Sequence, residues 1–175
     1  ETLDEVTKCY IFIAREIALR QKLWIVTPQP QRVRALLEGE LPGKALANIE
    51  YFRIPSNDTW ARDHGGITIF EDGKPVVLDF QFNGWGLKFA SDKDNLITER
   101  LHRDGHLFGE LRNCRNFVFE GGSIESDGNG TLLTTSECLL SPNRNATMSR
   151  ADIEKYLLET LGARQLLWLD HGYLA

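Results

Sequence analysis

The chain has 175 residues, 42% of them hydrophobic and 26% charged, with a formal net charge of −5. That is enough apolar chain for a soluble domain with a core, and an acidic balance argues against a nucleic-acid or anionic-membrane surface. The longest apolar run, Cys9 to Ala14, is far too short to span a bilayer; no signal peptide is visible, and Cys9, Cys114 and Cys138 share no metal or disulfide spacing, which points to a reduced, cytoplasmic setting.

The chain opens at Glu1 rather than Met, within a helical pattern, and stops at Ala175 just after a strand-like segment; both ends read as cuts. Leu3, Val6, Tyr10, Ile13 and Ile17 recur at three- and four-residue steps, which predicts an amphipathic helix. Leu23 to Thr27 reads as a strand. Pro28 and Pro30 punctuate, Arg32 to Leu37 reads as a short helix, and Tyr51 to Ile54 as a second strand. Asn57-Asp58-Thr59-Trp60-Ala61-Arg62-Asp63-His64-Gly65-Gly66 follows, between apolar segments. Two carboxylates, an indole, an arginine and an imidazole at a strand end suit chemistry on a rigid scaffold. They also suit a planar cation: carboxylates grip a guanidinium by paired hydrogen bonds and an indole face attracts it. A polar turn with a local salt bridge is the plainer reading.

A pattern then repeats. Ile67 to Phe70 and Pro75 to Phe80 form a hairpin around Asp72-Gly73. A helix is expected from about Asp94 to Arg112, weakened at Gly105, with a strand at Phe117 to Phe119 before Glu120-Gly121-Gly122. The cycle restarts with Ser123 to Ser126, a turn at Asp127 to Gly130, and Thr131 to Thr135. Ser149 and Asp152 form a capping box for a helix over Arg150 to Leu161, Gly162 stops it, and Gln165 to Leu169 closes the cycle before Asp170-His171-Gly172. Ile67 and Ser123 stand 56 residues apart, as do Pro75 and Thr131. Each cycle is strand, hairpin, strand, helix, strand, and each ends in acid and glycine. Such repeats imply a propeller or solenoid that gathers those acids around an axis. Two whole units and part of an earlier one are too few to close a ring.

The segments 57–65, Phe82-Asn83-Gly84-Trp85-Gly86, Glu120-Gly121-Gly122-Ser123-Ile124 and Pro142-Asn143-Arg144-Asn145 resemble the agmatine deiminase and bacterial peptidylarginine deiminase family, in the same order and over almost the whole chain. The resemblance implies a pentein-type α/β propeller of ββαβ repeats around a central site. Residues 1–175 would form one partial pentein domain, an incomplete ring of roughly half to three fifths of the whole. It also implies hydrolysis of a guanidine: a cysteine thiolate attacks the guanidinium carbon, ammonia leaves, and water releases the ureido product from a covalent thiouronium. A histidine shuttles protons, two carboxylates hold the guanidinium, and no metal or organic cofactor is used. Agmatine is the first candidate substrate, giving N-carbamoylputrescine for polyamine synthesis. Peptidylarginine or free arginine is the alternative, and a non-catalytic guanidinium-binding module is an alternative of another class. The partner is a small cationic guanidine; a homo-oligomer is compatible with the family.

By motif position, Asp63 matches the substrate-binding and catalytic carboxylate, Trp60 the lining of the guanidinium pocket, and Glu120 a second catalytic acid, beside the catalytic histidine. Asp58 is a further candidate substrate contact, though Asp58 and Arg62 also suit bracing of the loop. His64 would orient Asp63 or cap the turn, and Asn83 and Trp85 would shape the pocket mouth or pack a glycine-rich loop. The catalytic histidine and cysteine of the family would lie beyond Ala175, and His171 belongs to the stretch before them. Cys9 reads as helix packing, Cys114 as a thiol that Arg112 and Arg115 could acidify, and Cys138 as buried. His102 and His106 stand at i, i+4 on the expected helix, a metal-compatible spacing that more often marks a solvated face. Gly66 and Leu87 depart from the family pattern, which commonly has proline and glycine there.

Overall fold

A computed structural model describes residues 2–172, so the expectations at Glu1 and Ala175 lie outside the described residues. The chain divides into two compact units, residues 1–56 and 57–175.

In the first unit, helix Leu3–Ala18 starts from a capping box between Thr2 and Glu5. Strands β1 (Leu23–Thr27) and β2 (Ile49–Arg53) pair in parallel, Leu23 opposite Ile49. Helix Pro30–Glu38 and the short helix Gly43–Leu46 connect them. Pro30 opens its helix because a first-turn position needs no backbone donor. The core is Ala14, Ala18, Leu37, Leu41, Ala45 and Ile49. This differs from the expected apolar stripe. The first helix buries its small side, with Ala18 fully enclosed like Ala45, while Leu3, Phe12 and Ile13 stay exposed. Short side chains let elements approach closely, and that packing outweighs the larger but dispersed apolar residues.

The second unit holds two copies of one motif. Strand β3 (Ile67–Glu71) runs antiparallel to β4 (Lys74–Gln81), helix Ile97–Arg103 crosses over, and β5 (Glu110–Val118) returns parallel to β4. Strands β6 (Ile124–Ser126), β7 (Thr131–Thr135) and β8 (Gln165–Leu169) repeat the arrangement around helix Arg150–Leu161. Val76 pairs with Glu110, and 56 residues on Leu132 pairs with Leu166. The sheets run β3-β4-β5 and β6-β7-β8, and no sheet closes on itself among the described residues. One core joins both copies: Val76, Leu78, Phe80, Phe117 and Phe119 share a cluster with Leu132, Ile153, Leu157 and Leu166.

The first crossover corrects the expected helix over 94–112. The α-helix ends at Arg103, Gly105 takes φ 79°, and Glu110 begins a nine-residue strand. A left-handed glycine terminates the helix, and what read as helix beyond it is parallel strand. That strand contains a bulge. Phe80 pairs with Cys114 but Gln81 pairs with Val118, so residues 115–117 have no counterparts on β4.

The second helix forms as expected: the Ser149 hydroxyl accepts from Asp152 N–H at 3.2 Å and Gly162 adopts φ 66°. Ser149→Ala should lower the unfolding free energy in urea by about 1 kcal/mol. In the hairpin turn, the N–H groups of Thr131 and Asn129 hold the Asp127 carboxyl below the usual range. Its folded pKa lies below its unfolded value, so its contribution is complete above the unfolded pKa and is lost as pH falls through the folded one. The penalty of Asp127→Ala should therefore be largest near neutral pH and fade in acid.

Candidate active site

The polar block 57–64 is bolted to a neighbouring loop through main-chain groups. The N–H groups of Asn57 and Asp58 donate to Oδ1 of the fully buried Asp94, at 2.7 and 3.2 Å. Asn57 returns the contact, accepting from Lys93 N–H at 2.8 Å. Asp58 accepts from Trp60 N–H at 2.9 Å, which turns the chain into the single helical turn Ala61–His64. That bond gives Asp58 a bracing position. Trp60 projects outward and is 64% exposed. His64 is buried, its ring 5.9 Å from that of Phe82, and neither ring nitrogen has a hydrogen-bond partner. It therefore neither orients Asp63 nor caps the turn.

Asp63 is held from two distant segments. Trp85 Nε1–H donates to its Oδ2 at 3.1 Å and Gly122 N–H to its Oδ1 at 3.0 Å. The second contact requires glycine: a Cβ on Gly122 would lie 2.2 Å from Oδ1, and one on Gly121 would lie 2.3 Å from the Arg62 carbonyl. Trp85 belongs to a left-handed turn, with φ of 65°, 58°, 81° and 68° across Gly84, Trp85, Gly86 and Leu87. The indole packs edge-on against Phe82 at 5.0 Å and Phe89 at 5.8 Å.

Glu120 is more deeply buried, at 4% exposure. Arg144 meets it with a forked contact, Nε to Oε1 at 3.1 Å and Nη2 to both oxygens at 2.9 and 3.0 Å. Cys138 Sγ–H donates to Oε2 at 3.4 Å. Asn145 fixes the strand before Glu120, pairing its amide with both Val118 N–H and Val118 O. Asn83 donates to the Asn143 carbonyl at 2.7 Å and accepts from Gly86 N–H at 2.9 Å. All four family-like segments therefore converge. The Arg144–Glu120 fork, the Trp85–Asp63 bond and the Asn83–Asn143 link have no spacing signal in the sequence.

The cysteines differ from expectation, Cys138 being half-buried rather than buried. Cys9 is exposed rather than packed. Burial raises the Cys114 thiol pKa, outweighing the nearby Arg112. Burial, then the charge of Glu120, pushes the Cys138 thiol up to about 11. It is a hydrogen-bond donor to a carboxylate and not a ready nucleophile. The expected i, i+4 histidine pair is lost because the helix ends before His106; His102 Nε2 lies 2.9 Å from the Gly109 carbonyl. No cluster of three or more metal-ligating side chains occurs among the described residues, and no helix there is long and apolar enough to cross a membrane. His171 is largely exposed.

The family profile described as Porphyromonas-type peptidyl-arginine deiminase matches residues 1–175. The chain belongs to this family. A Legionella pneumophila (strain Paris) protein named "Putative agmatine deiminase" is 39% identical over 98% of this chain and 48% of its own length. A Selenomonas ruminantium protein of the same name is 34% identical over 96% and 46%. A crystal structure described as the "Putative Arginine Deiminase from Porphyromonas gingivalis" superposes with a TM-score of 0.91 at 50% identity, covering 100% of this chain and 51% of that one. A C. jejuni agmatine deiminase variant with substrate bound superposes at 0.87 with 35% identity, covering 98% and 49%. The chain thus spans about half the length of the relatives it matches. Its fold is the pentein type, an α/β architecture of ββαβ repeats.

Two measurements probe this site. Arg144→Ala strands a buried carboxylate and should cost about 3–5 kcal/mol in urea unfolding. Iodoacetamide at pH 8, read by peptide mapping, should alkylate Cys9 well before Cys138 or Cys114.

Proposed function

We propose that this chain is the guanidinium-holding part of a hydrolytic guanidine deiminase, with agmatine as substrate and N-carbamoylputrescine and ammonia as products. Asp63 carries the reading. The residue is half-buried, and each carboxylate oxygen accepts one protein donor, leaving lone pairs for the parallel N–H groups of a guanidinium. Trp60 supplies an exposed indole face nearby in sequence. Asp58 supports the pair from its turn and stands as a secondary substrate contact. Glu120 has a different office: its oxygens already serve Arg144 and Cys138, so it acts as a fixed negative charge beside the catalytic histidine of the complete protein.

In the proposed reaction a cysteine thiolate attacks the guanidinium carbon. The carbon–nitrogen bond breaks and ammonia departs with a proton from the histidine. Water then passes a proton back to the histidine and attacks the thiouronium; the carbon–sulfur bond breaks, the ureido product leaves as a second proton goes to solvent, and the thiolate is regenerated. Cys9, Cys114 and Cys138 are not placed for that role, so we assign the nucleophile and the histidine to chain outside these residues, and read residues 1–175 as one partial pentein domain. No cofactor takes part in this scheme. Polyamine synthesis, a cytoplasmic setting and a homo-oligomer belong to the same reading.

A second reading, peptidylarginine or free arginine as substrate, is favoured by the family's description and by the 50% identity to the P. gingivalis structure. Ammonia release by the full-length protein on agmatine, arginine and an arginyl peptide separates the two. Agmatine should be preferred, and a preference for arginine would move the assignment. Asp63→Asn should lower kcat/KM by about 10²–10³-fold, the range for losing a charge-stabilising group; unchanged kinetics would remove Asp63 from the site.

A further inference from the structure

We propose that Arg144 is a positioning residue for both carboxylates, setting Asp63 through the Asn143–Asn83–Trp85 chain as well as gripping Glu120 directly. The functional weight of this rests on the guanidine-deiminase reading; the coupling itself rests on the contacts.

Arg144 is 11% exposed and its fork on Glu120 fixes the plane of the guanidinium. A planar fork has one geometry, unlike an ammonium, so the loop carrying it is fixed as well. The carbonyl of the preceding residue, Asn143, accepts from the nearly buried Asn83. The same Asn83 side chain caps the left-handed turn at Gly86 N–H. Gly86 itself lies against the guanidinium: a Cβ there would stand 3.3 Å from Arg144 Nη1 and 3.5 Å from Asn143 Cβ. The turn is therefore moulded on the Arg144 loop from two sides.

What the turn carries is Trp85. A tryptophan at φ 58° and ψ 49° persists only where its surroundings over-determine it. Asn83, the Arg144 loop and the two phenylalanine edges supply that constraint. The indole N–H they aim is the donor to Asp63 Oδ2. A change at Arg144 thus reaches Asp63 without touching it, through a contiguous set of buried and part-buried polar contacts.

The test uses the full-length protein labelled with 15N at tryptophan indoles, the Trp85 resonance being assigned by its loss in Trp85→Phe. Arg144→Lys keeps the charge and removes the fork. It should shift the Trp85 indole N–H signal and lower kcat/KM for agmatine by about 100-fold, as displacement of a positioning group does. Asn83→Ser cuts the bond to Asn143 while retaining an acceptor for Gly86 N–H. It should shift the same signal, and it decides the matter alone if Arg144→Lys does not fold. An unmoved Trp85 signal in the folded variants overturns the proposal, because an arginine that merely anchors Glu120 would leave the indole as it was. Absence of guanidine turnover in the wild-type protein would instead refute the functional reading, while the indole shift still decides the coupling.

Discussion

The exclusion of water from Glu120 is the constraint on which the rest of the site depends. A carboxylate at 4% exposure must be paired or give up its charge. Arg144 pairs it with both arms of its fork, and Cys138 adds a weaker donor. Such a pair need not stabilise the protein more than packed apolar side chains would. Its effect here is geometric. The fork admits one orientation, and that orientation locates the loop 142–145, the turn 84–87 packed against it, and the strand end that Asn145 holds at Val118.

The two carboxylates of the site accordingly differ in kind. Asp63 sits on a single helical turn whose entry is fixed by main-chain bonds to Asp94 and whose acid is steadied by one indole and one amide. Both of those donors are neutral. Glu120 already has a resident guanidinium. Residues of the same chemistry, brought together by the same repeat, are thus separated by what surrounds them.

Much of the fold was legible because its signals are local. The capping box at Ser149 and Asp152, the left-handed stop at Gly162 and the hairpin turns at Asp72-Gly73 and Asp127 to Gly130 act within a few residues, and periodicity showed the duplication. The first crossover is less legible because Leu107 to Val118 has no clear period, so the helical pattern has no visible end at the glycine that stops it. The first helix is legible as amphipathic, but its large apolar residues do not mark the side it buries, because close packing selects Ala14 and Ala18. In the site, motif order picked out the acids and the glycines. The contacts that hold them, Arg144 on Glu120 and Trp85 on Asp63, join residues 24 and 22 positions apart. No spacing rule governs such pairs; only the folded chain defines them.

The bulge between β4 and β5 makes chain length itself a functional quantity. Three residues, 115 to 117, are taken up between the Cys114 and Val118 pairings, and Glu120 follows two positions later. Successive residues of a strand face opposite sides, so a single-residue insertion or deletion here would invert every side chain up to the glycine pair. The acid would then face the wrong layer, and Phe117 and Phe119 would leave the core they now occupy. Along this stretch the spacing acts as a ruler. Substitutions that respect size can be absorbed one at a time, whereas a change in length would cost the core and the site together.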